Sequence, residues 1–469
     1  MSLTRKVAYN AAIQMTGKVI SVSIGVLVIA MMTRYLRPEG YGYYTTIVAF
    51  LQTFGILIDF GLTLTTVQFL AAPNADTEKI LGAMFGLRLV TVIPVLCVAI
   101  VAGFMMPYTP IVQIGIAILA FEFLAISVIQ IVTGLFQREL RMERVAIAEL
   151  SGRIVLLVGT FIAIALNGGL YAILFVITIA SITTVAALLL FARRFTRICV
   201  LIDVPLWKKF LSTSWPIGIS IAFNLLYLKG DTFILSLYRG PEEVGIYGAP
   251  YRVLEILAAS PYLFIGLVFP LLRSTWLSDK ERFFRILQKS FDALALIALP
   301  VVAGTIMLAT PMMTFIAGPA FAPSGPLLQI LALATGCIFI GALFGHIVLV
   351  VEKQRPMIWG YAALAVIAIA GYLFFIPRYG ALGAAWMTVV VEALSALITY
   401  MVTRYTTNIT LSLTTAGKAL AASIVMMLAL FALPSFHVLL LVVLGGTIYI
   451  LTLLILRGIP KTILKEIFP

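Results

Sequence analysis

The chain has 469 residues, of which 62% are hydrophobic and 11% are charged, and its mean hydropathy is +1.12. This composition leaves too little polar side-chain surface to cover a soluble globule, so the soluble classes of protein are excluded. The net charge is +13, and its distribution along the chain indicates membrane topology rather than binding to nucleic acid.

Apolar stretches of about 20 residues, the length that crosses a bilayer as a helix, recur from one end of the chain to the other. The first stretch ends at Arg34 and Arg37 rather than at small residues, so we do not expect a removable signal peptide. About fourteen transmembrane helices are predicted, at residues 11–33, 43–70, 82–106, 111–135, 145–166, 169–191, 213–237, 247–271, 287–309, 327–350, 357–376, 381–402, 416–433 and 438–456.

Lysines and arginines are concentrated on one side of the predicted membrane. If the N terminus is inside, the even-numbered connections and both termini carry most of them, and the opposite side carries only Arg34, Arg37, Arg239 and Arg378. This bias follows the positive-inside rule and predicts a multi-pass protein of the cytoplasmic (inner) membrane with cytoplasmic N and C termini. Cys97, Cys199 and Cys337 form no CxxC spacing, so we expect neither a disulfide framework nor a metal site.

Two loops of similar sequence lie about two hundred residues apart. RYLRPEGYGYY covers residues 34–44, and LYRGPEEVGIYGAPY covers residues 237–251. Proline fixes φ and glycine permits tight turning, so we interpret each segment as a short outer hairpin between two helices.

The two loops indicate an internal repeat. Aligning Tyr41-Gly42 with Tyr247-Gly248 sets an offset of 206 residues, and the same offset carries Pro94 onto Pro300. The repeat predicts an all-α integral membrane fold with two six-helix lobes around a central cavity, residues 1–198 and 199–406, and two appended transmembrane helices in residues 407–469. Because six is an even number, the two lobes are parallel repeats, and two lobes that rock around one cavity give a transporter with alternating access.

Four predicted helices carry polar residues at helical spacing, as expected of helices that line a cavity. They are the first, second, seventh and eighth, which are corresponding pairs in the repeat. Their polar residues are Asn10, Gln14, Lys18, Ser21, Gln52, Asp59, Thr63, Thr66, Ser220, Asn224, Tyr227, Asp231, Arg252, Glu255 and Tyr262.

Ionisable residues inside these helices need a partner, water or a ligand, because each costs about 2.5–3.5 kcal/mol in a bilayer. Arg252 and Glu255 have the spacing to pair on their own helix, and so do Glu149 and Arg153. Lys18 has no acidic residue within a turn, which leaves Asp59 across the hairpin, another helix or an anionic ligand as its partner.

Other ionisable residues have two interpretations each. Arg88 and Lys229 are candidates for ligand binding or for snorkelling to a membrane face. Asp59, Asp231 and Glu122 are candidates for binding a proton or a sodium ion, or for neutralising nearby cations.

Five features of the sequence carry a resemblance that extends over the whole chain. They are the fourteen-helix layout, the basic start, RYLRPEGYG after the first helix, its counterpart after the seventh, and GALGAAW from Gly380. The sequence resembles the polysaccharide-biosynthesis flippases of the multidrug/oligosaccharidyl-lipid/polysaccharide exporter superfamily. It departs from the usual first-loop motif at Arg37, where many relatives have glycine.

The resemblance implies a flippase that moves a polyprenyl-diphosphate-linked oligosaccharide to the outer leaflet for glycan assembly, with its cavity bounded by the first, second, seventh and eighth helices. The implied contacts to the diphosphate are Lys18, Arg252, Lys229 and Arg88. We expect the sugar to contact polar groups such as Gln14, Gln52, Asn224 and Tyr227, and the candidates for ion coupling are Asp59, Asp231, Glu255 and Glu122.

No cofactor is expected apart from a coupling proton or sodium ion. The expected partners are membrane lipids and a polysaccharide polymerase or glycosyltransferases.

The sequence leaves three alternatives to this interpretation. A cation-coupled multidrug exporter of the same superfamily would favour an acidic cavity, and a peptidoglycan-precursor flippase would use a similar lipid cargo. A membrane glycosyltransferase or polymerase generally needs a sizeable outer loop or an acidic pair in one. The outer connections here are short and carry only Glu39, Glu242 and Glu243, so we do not expect an enzyme.

Overall fold

The computed structural model describes residues 3–72, 75–197, 199–433 and 436–458, without the side chains of residues 3–16, 217, 220, 354 and 355. The described residues form thirteen α-helices and one short 3₁₀ helix, Pro319–Phe321, and they contain no strand. The helices are α1 (Leu3–Asp59), α2 (Leu62–Leu70), α3 (Thr77–Met105), α4 (Pro110–Arg138), α5 (Met142–Ala165), α6 (Gly169–Ala192), α7 (Val204–Tyr238), α8 (Pro241–Ser278), α9 (Lys280–Ala317), α10 (Ser324–Val350), α11 (Gln354–Thr407), α12 (Thr414–Ala432) and α13 (Val438–Ile455).

Eleven helical stretches within the described residues are long and apolar enough to cross a membrane, or twelve if the two parts of the bent helix α7 form one span. Two of these stretches have 54 and 52 residues. At a rise of about 1.5 Å per residue, each is more than twice as long as the roughly 30 Å hydrocarbon core. The first contains the non-helical residue Arg37 and the turn at Phe60 and Gly61 between α1 and α2, and the second contains the non-helical residue Gly380 in α11. The all-α membrane fold is confirmed, and the count of fourteen helices stays a prediction.

The two similar loops differ from the predicted hairpins. Only Arg37 is non-helical in the first segment, and only Arg239 and Gly240 separate α7 from α8 in the second. The physical reason is that proline suits the first turn of a helix, where its missing N–H costs nothing. Pro38 and Pro241 therefore begin helices. Glu242 and Glu243 add negative charge at the start of α8, where the helix dipole favours it.

The two segments contact each other reciprocally. A Cβ atom at Gly42 would overlap the carbonyl group of Pro241, and a Cβ atom at Gly245 would overlap that of Pro38. The contact pairs Pro38 with Pro241 and Gly42 with Gly245, an offset of 203 residues, so the predicted register of 206 is wrong by three residues in this segment. The sequence PEGYG matches PEEVG in the corrected register.

Helix caps support the corrected register. Asp76 caps α3 by accepting a hydrogen bond from the backbone N–H of Lys79, and Asp279 caps α9 in the same way with Arg282. These caps are also 203 residues apart. Farther along the chain the offset is 212, since Leu140 before α5 and Glu352 before α11 are matching residues with left-handed backbone conformations.

The chain divides into two compact units, residues 1–245 and 246–469. The first contains α1 to α7 and two apolar clusters, one around Phe50, Ile116 and Leu174 and one around Met84, Leu135 and Phe210. The predicted lobes, residues 1–198 and 199–406, were defined by the repeat rather than by packing, and they stay a prediction.

The second unit also contains two apolar clusters. One lies around Phe283 and Phe344, and the other joins α9 to the two appended helices α12 and α13. In that second cluster, the Tyr449 hydroxyl donates a hydrogen bond of 2.8 Å to the Leu296 carbonyl. The appended helices are therefore packed against α9 on one face, and residues such as Leu428 and Val443 are exposed on their other faces.

The connection between α6 and α7 lies against the start of α3. The Leu201 N–H donates to the Gly82 carbonyl at 2.9 Å, and the Lys79 ammonium lies 3.2 Å from the Asp203 carboxylate. Asp203 also caps α7 by accepting from the Leu206 N–H. This backbone hydrogen bond, together with Lys79, lowers the pKa of the Asp203 carboxyl below its ordinary value.

Candidate functional site

The first unit contains a polar cavity among helices α1, α4, α5 and α6. Its volume is about 270 Å³. Apolar residues such as Leu156 and Ile177 form part of its wall. Four charged residues and three hydroxyl groups also line it: Lys18, Ser21, Glu122, Glu149, Arg153, Ser181 and Thr184.

This cavity brings together residues that were predicted separately. Lys18 is predicted to bind substrate and Glu122 to couple an ion, and both line this cavity. Within the described side chains, no carboxylate oxygen lies within 4.0 Å of the Lys18 ammonium nitrogen. Asp59 is paired with Arg88 and is not the partner of Lys18, and an anionic ligand as its partner stays a prediction.

Asp59 is bound by Arg88. The Arg88 side chain is 2% exposed, and its guanidinium donates to the Asp59 carboxylate at 2.7 Å, to the Ile58 carbonyl at 3.0 Å and to the Thr63 hydroxyl at 3.0 Å. The Thr63 hydroxyl also donates to Asp59. These bonds satisfy the end of α1, where the chain turns through the left-handed residue Gly61. In this structure Arg88 and Asp59 stabilise a helix break, and their roles in substrate binding and ion coupling stay predictions.

Helix α7 carries four of the predicted site residues, Asn224, Tyr227, Lys229 and Asp231. The Asn224 side-chain amide donates to the Tyr227 hydroxyl at 2.7 Å. Asp231 is fully buried and accepts from the backbone N–H of Thr232 at 2.6 Å and from the hydroxyl of that residue at 3.1 Å. Lys229 is half-buried. Their contacts to substrate or ion stay predictions.

Arg252 and Glu255 belong to the second unit. Their guanidinium and carboxylate groups are 2.7 Å apart on helix α8, which confirms the expected pairing at i, i+3. Gln52 is half-buried in the first unit, and the side chain of Gln14 lies outside the described residues. The predicted central cavity between the two lobes stays a prediction.

Two cavity residues were not identified from the sequence. Ser181 and Thr184 lie on α6, and a spacing of three residues on one helix face was the only signal that could have found them. Glu149 and Arg153 had been expected to pair with each other. Instead, they line the cavity, and within the described side chains no carboxylate lies within 4.0 Å of the Arg153 guanidinium.

No group of three or more His, Cys, Asp or Glu residues that could hold a metal ion occurs in the described part of the chain.

Apolar helices around a charged cavity are the architecture of a multi-pass membrane transporter. A family model described as "Polysaccharide biosynthesis protein" matches residues 7–276, which is more than half of the chain. The chain therefore belongs to the polysaccharide biosynthesis protein family. No curated protein matches its sequence significantly.

Solved structures share the fold over most of the chain. "Lipid II flippase MurJ, inward closed conformation" is similar with a TM-score of 0.80 and 13% identity, over 94% of this chain and 98% of that one. An inward-facing multidrug resistance MATE family transporter of the MOP superfamily is similar with a TM-score of 0.67 and 13% identity, over 85% and 98%. A MOP superfamily transporter from Pyrococcus furiosus has a TM-score of 0.56 and 14% identity, over 85% and 95%. These similarities show the fold, and with the family match they confirm the resemblance to the exporter superfamily.

Proposed function

We propose that the protein is a flippase that moves a polyprenyl-diphosphate-linked oligosaccharide from the cytoplasmic to the outer leaflet by alternating access. The observation that carries this proposal is the position of Lys18, a cation on the wall of a polar cavity among α1, α4, α5 and α6 with no carboxylate within 4.0 Å among the described side chains. A cation in the membrane needs a counter-charge, and the diphosphate of a lipid-linked sugar would supply it.

The polysaccharide biosynthesis family and the flippase fold support a lipid-linked cargo. The proposed location is the cytoplasmic membrane, with both termini in the cytoplasm, and the proposed partners are membrane lipids and the enzymes that make or polymerise the glycan. A diphosphate with about two negative charges moves outward along a potential that is negative inside, which favours export by about 2.3 kcal/mol per charge per 100 mV. Proton or sodium coupling through Glu122, Asp59, Asp231 or Glu255 belongs to the same proposal.

A specific observation favours a second candidate function, cation-coupled drug export. Glu122 and Glu149 line the same cavity as Lys18, and their carboxylates suit cationic compounds. The similarity to a multidrug transporter structure is consistent with this candidate. A peptidoglycan-precursor flippase has the same support from the fold and differs in its sugar cargo.

The test is transport in proteoliposomes. Purified protein is reconstituted with a short fluorescent polyprenyl-diphosphate oligosaccharide, and the protection of the sugar from an external glycosidase is followed with and without an imposed potential. We expect the wild type to move the lipid, Lys18→Ala to move it at least about tenfold more slowly, and the exposed-lysine control Lys208→Ala to behave as the wild type. A wild type that moves cationic drugs and no lipid would establish the second candidate and reject the first.

A further inference from the structure

A second cavity lies in the second unit, between the start of helix α9 and the connection from α11 to α12. Its volume is about 410 Å³, within the roughly 300–1,000 Å³ range of small-molecule sites. The described residues that line it include one charged side chain and no carboxylate. They are Phe284, Arg285, Gln288, Asn408, Ile409 and Thr410. The cavity therefore offers one cation beside amide and hydroxyl groups.

The wall formed by residues 408–412 is held in place against α9. The side-chain amide of Gln288 donates to the Ser412 carbonyl at 2.9 Å and accepts from the Ser412 N–H at 2.9 Å. Ile409 is buried in an apolar cluster of the second unit, and Asn408 ends α11 in a left-handed backbone conformation. These contacts fix the backbone of the wall, so the cavity is a stable feature of the fold.

The charges of α9 place this cavity at a membrane surface. Its first ten residues, 280–289, include five charged ones, whereas the rest of the helix, residues 290–317, includes only Asp292. At a rise of about 1.5 Å per residue, residues 290–317 are about 42 Å long, which exceeds the roughly 30 Å hydrocarbon core. The helical turn that carries Arg285 and Gln288 therefore lies at the level of the lipid head groups.

Cations surround the cavity at this end of the second unit. Besides Arg285, the residues Arg282 and Lys289 of α9 and Arg404 of α11 are exposed. Glu281 lies 3.7 Å from the Arg285 guanidinium, but both side chains are largely exposed, and an exposed ion pair contributes little. Basic pockets between membrane helices attract anionic lipid head groups. The charge of this surface therefore suits an anionic ligand.

A row of exposed apolar side chains begins beside the cavity. Leu413 precedes α12 and lies three residues after Thr410, and Leu420, Ile424 and Leu428 follow at a spacing of four residues on α12. Residues four apart on a helix lie on the same face, so the row runs along α12 away from the cavity. A polar cavity continued by an apolar row matches the head group and the acyl chains of a phospholipid.

We propose that this cavity binds the head group of an anionic phospholipid such as phosphatidylglycerol, and that the acyl chains lie along the exposed row on α12. The Arg285 guanidinium donates charge-assisted hydrogen bonds to the phosphate. The Thr410 hydroxyl and the Asn408 amide bind the glycerol hydroxyls. The site contains no residue of the polar cavity in the first unit, and its occupant is a lipid of the membrane rather than the transported cargo.

The test is photolabelling of the purified full-length protein in a neutral detergent. The probe is phosphatidylglycerol with a photoreactive acyl chain. The competitors are unlabelled phosphatidylglycerol, phosphatidylcholine with the same acyl chains, and soluble glycerol 3-phosphate. We expect the probe to label α12 of the wild type, and phosphatidylglycerol to compete at least about tenfold better than phosphatidylcholine. Glycerol 3-phosphate lacks acyl chains and is expected to compete poorly.

Variants test the cavity itself. Arg285→Gln is expected to lower the affinity for the probe about tenfold, and Thr410→Trp is expected to lower it by filling the cavity. Arg285→Lys is expected to retain part of the affinity, which distinguishes lost binding from misfolding. Arg282→Gln is the matched control, because Arg282 is an exposed arginine about one turn earlier on α9 and does not line the cavity.

Several outcomes decide the proposal. Equal losses of affinity in Arg285→Gln and Arg282→Gln would show that the overall positive charge attracts the lipid, which overturns the site. Unchanged affinity in Thr410→Trp places the head group outside the cavity and also overturns it. Equal competition by phosphatidylcholine overturns the anionic head group, and equal competition by glycerol 3-phosphate assigns the cavity to a soluble phosphate compound. None of these measurements involves transport, so they decide this proposal independently of the proposed function.

Discussion

The reciprocal glycine contact between the two repeated segments leads to a specific prediction for Gly42→Ala. The added Cβ atom would lie 2.5 Å from the carbonyl carbon of Pro241 and closer still to its oxygen. An ordinary contact needs 3.4 Å, so the carbonyl carbon alone requires the two backbones to separate by about 0.9 Å, and the closer oxygen requires more. No side-chain rotation relieves this clash, because the overlapping atoms belong to the backbone of Pro241.

The size of the effect follows from overpacking, which typically costs about 1–3 kcal/mol. A cost of this size lowers the population of the packed arrangement by about 5- to 150-fold relative to one in which the segments are apart. We expect Gly245→Ala to act in the same direction, because its Cβ atom would lie 2.9 Å from the carbonyl carbon of Pro38. The double variant is expected to cost less than the sum of the single variants, since one separation relieves both clashes.

The assay measures how fast a buried thiol beside the contact reacts. Val244 is 1% exposed, so Val244→Cys is introduced in a variant without the three native cysteines and labelled with a maleimide. We expect faster labelling and a lower melting temperature with Gly42→Ala and with Gly245→Ala. Gly240→Ala is the matched control, since nothing lies within 4 Å of its added Cβ atom. Equal labelling rates in Gly42→Ala and Gly240→Ala would refute the reasoning.

Three further predictions concern stability. Arg88→Met leaves the Asp59 carboxylate without its buried partner, and we expect a loss of about 3–5 kcal/mol in unfolding free energy, measured by denaturation in detergent. Asp203→Asn lowers the melting temperature at neutral pH. Because the pKa of Asp203 is lowered in the folded protein, its contribution is present above the ordinary pKa of 3.8 and is lost as the pH falls through the folded pKa, so the difference from the wild type disappears in acid. Tyr449→Phe removes the hydrogen bond from the appended helices to α9, and we expect a loss of about 0.5–1.5 kcal/mol by the same denaturation assay.

Each of these predictions has a control and a contradicting result. For Arg88→Met the control is Arg285→Met on exposed α9 surface, and equal losses in the two variants would show that the buried pair has no special role. For Asp203→Asn, a difference in melting temperature that persists unchanged at low pH would contradict ionisation as its cause. For Tyr449→Phe the control is Tyr405→Phe, because Tyr405 is 90% exposed, and no difference between them would remove the hydrogen bond as a stabilising contact.

The membrane class could be predicted from the sequence because apolar periods of about 20 residues leave a strong signal. The local structure of the two repeated segments could not. Proline and glycine are typical both of a turn and of the start of a helix, and the sequence pattern does not separate the two. Pro38 and Pro241 begin helices here. The register was also ambiguous, since the Tyr-Gly pairs and the Pro-Glu pairs give offsets that differ by three residues, close to one helical turn.

The charged residues show where sequence reasoning about a site stops. The rule that residues three or four apart on a helix can pair was right for Arg252 and Glu255, which are 2.7 Å apart. It was wrong for Glu149 and Arg153, which have an equally suitable spacing.

Spacing decides only whether two side chains can meet. The Arg153 guanidinium lies beside α1, with Nη1 4.0 Å from the position of a Cβ atom added at Gly25, and no pattern within α5 contains that information. Lys18 illustrates the same limit, because its position on the first helix was evident whereas its neighbours come from three other helices. Helix packing therefore determines which charges a membrane protein neutralises internally and which it leaves for a ligand. The two possibilities can be tested against each other at the cavity of the first unit.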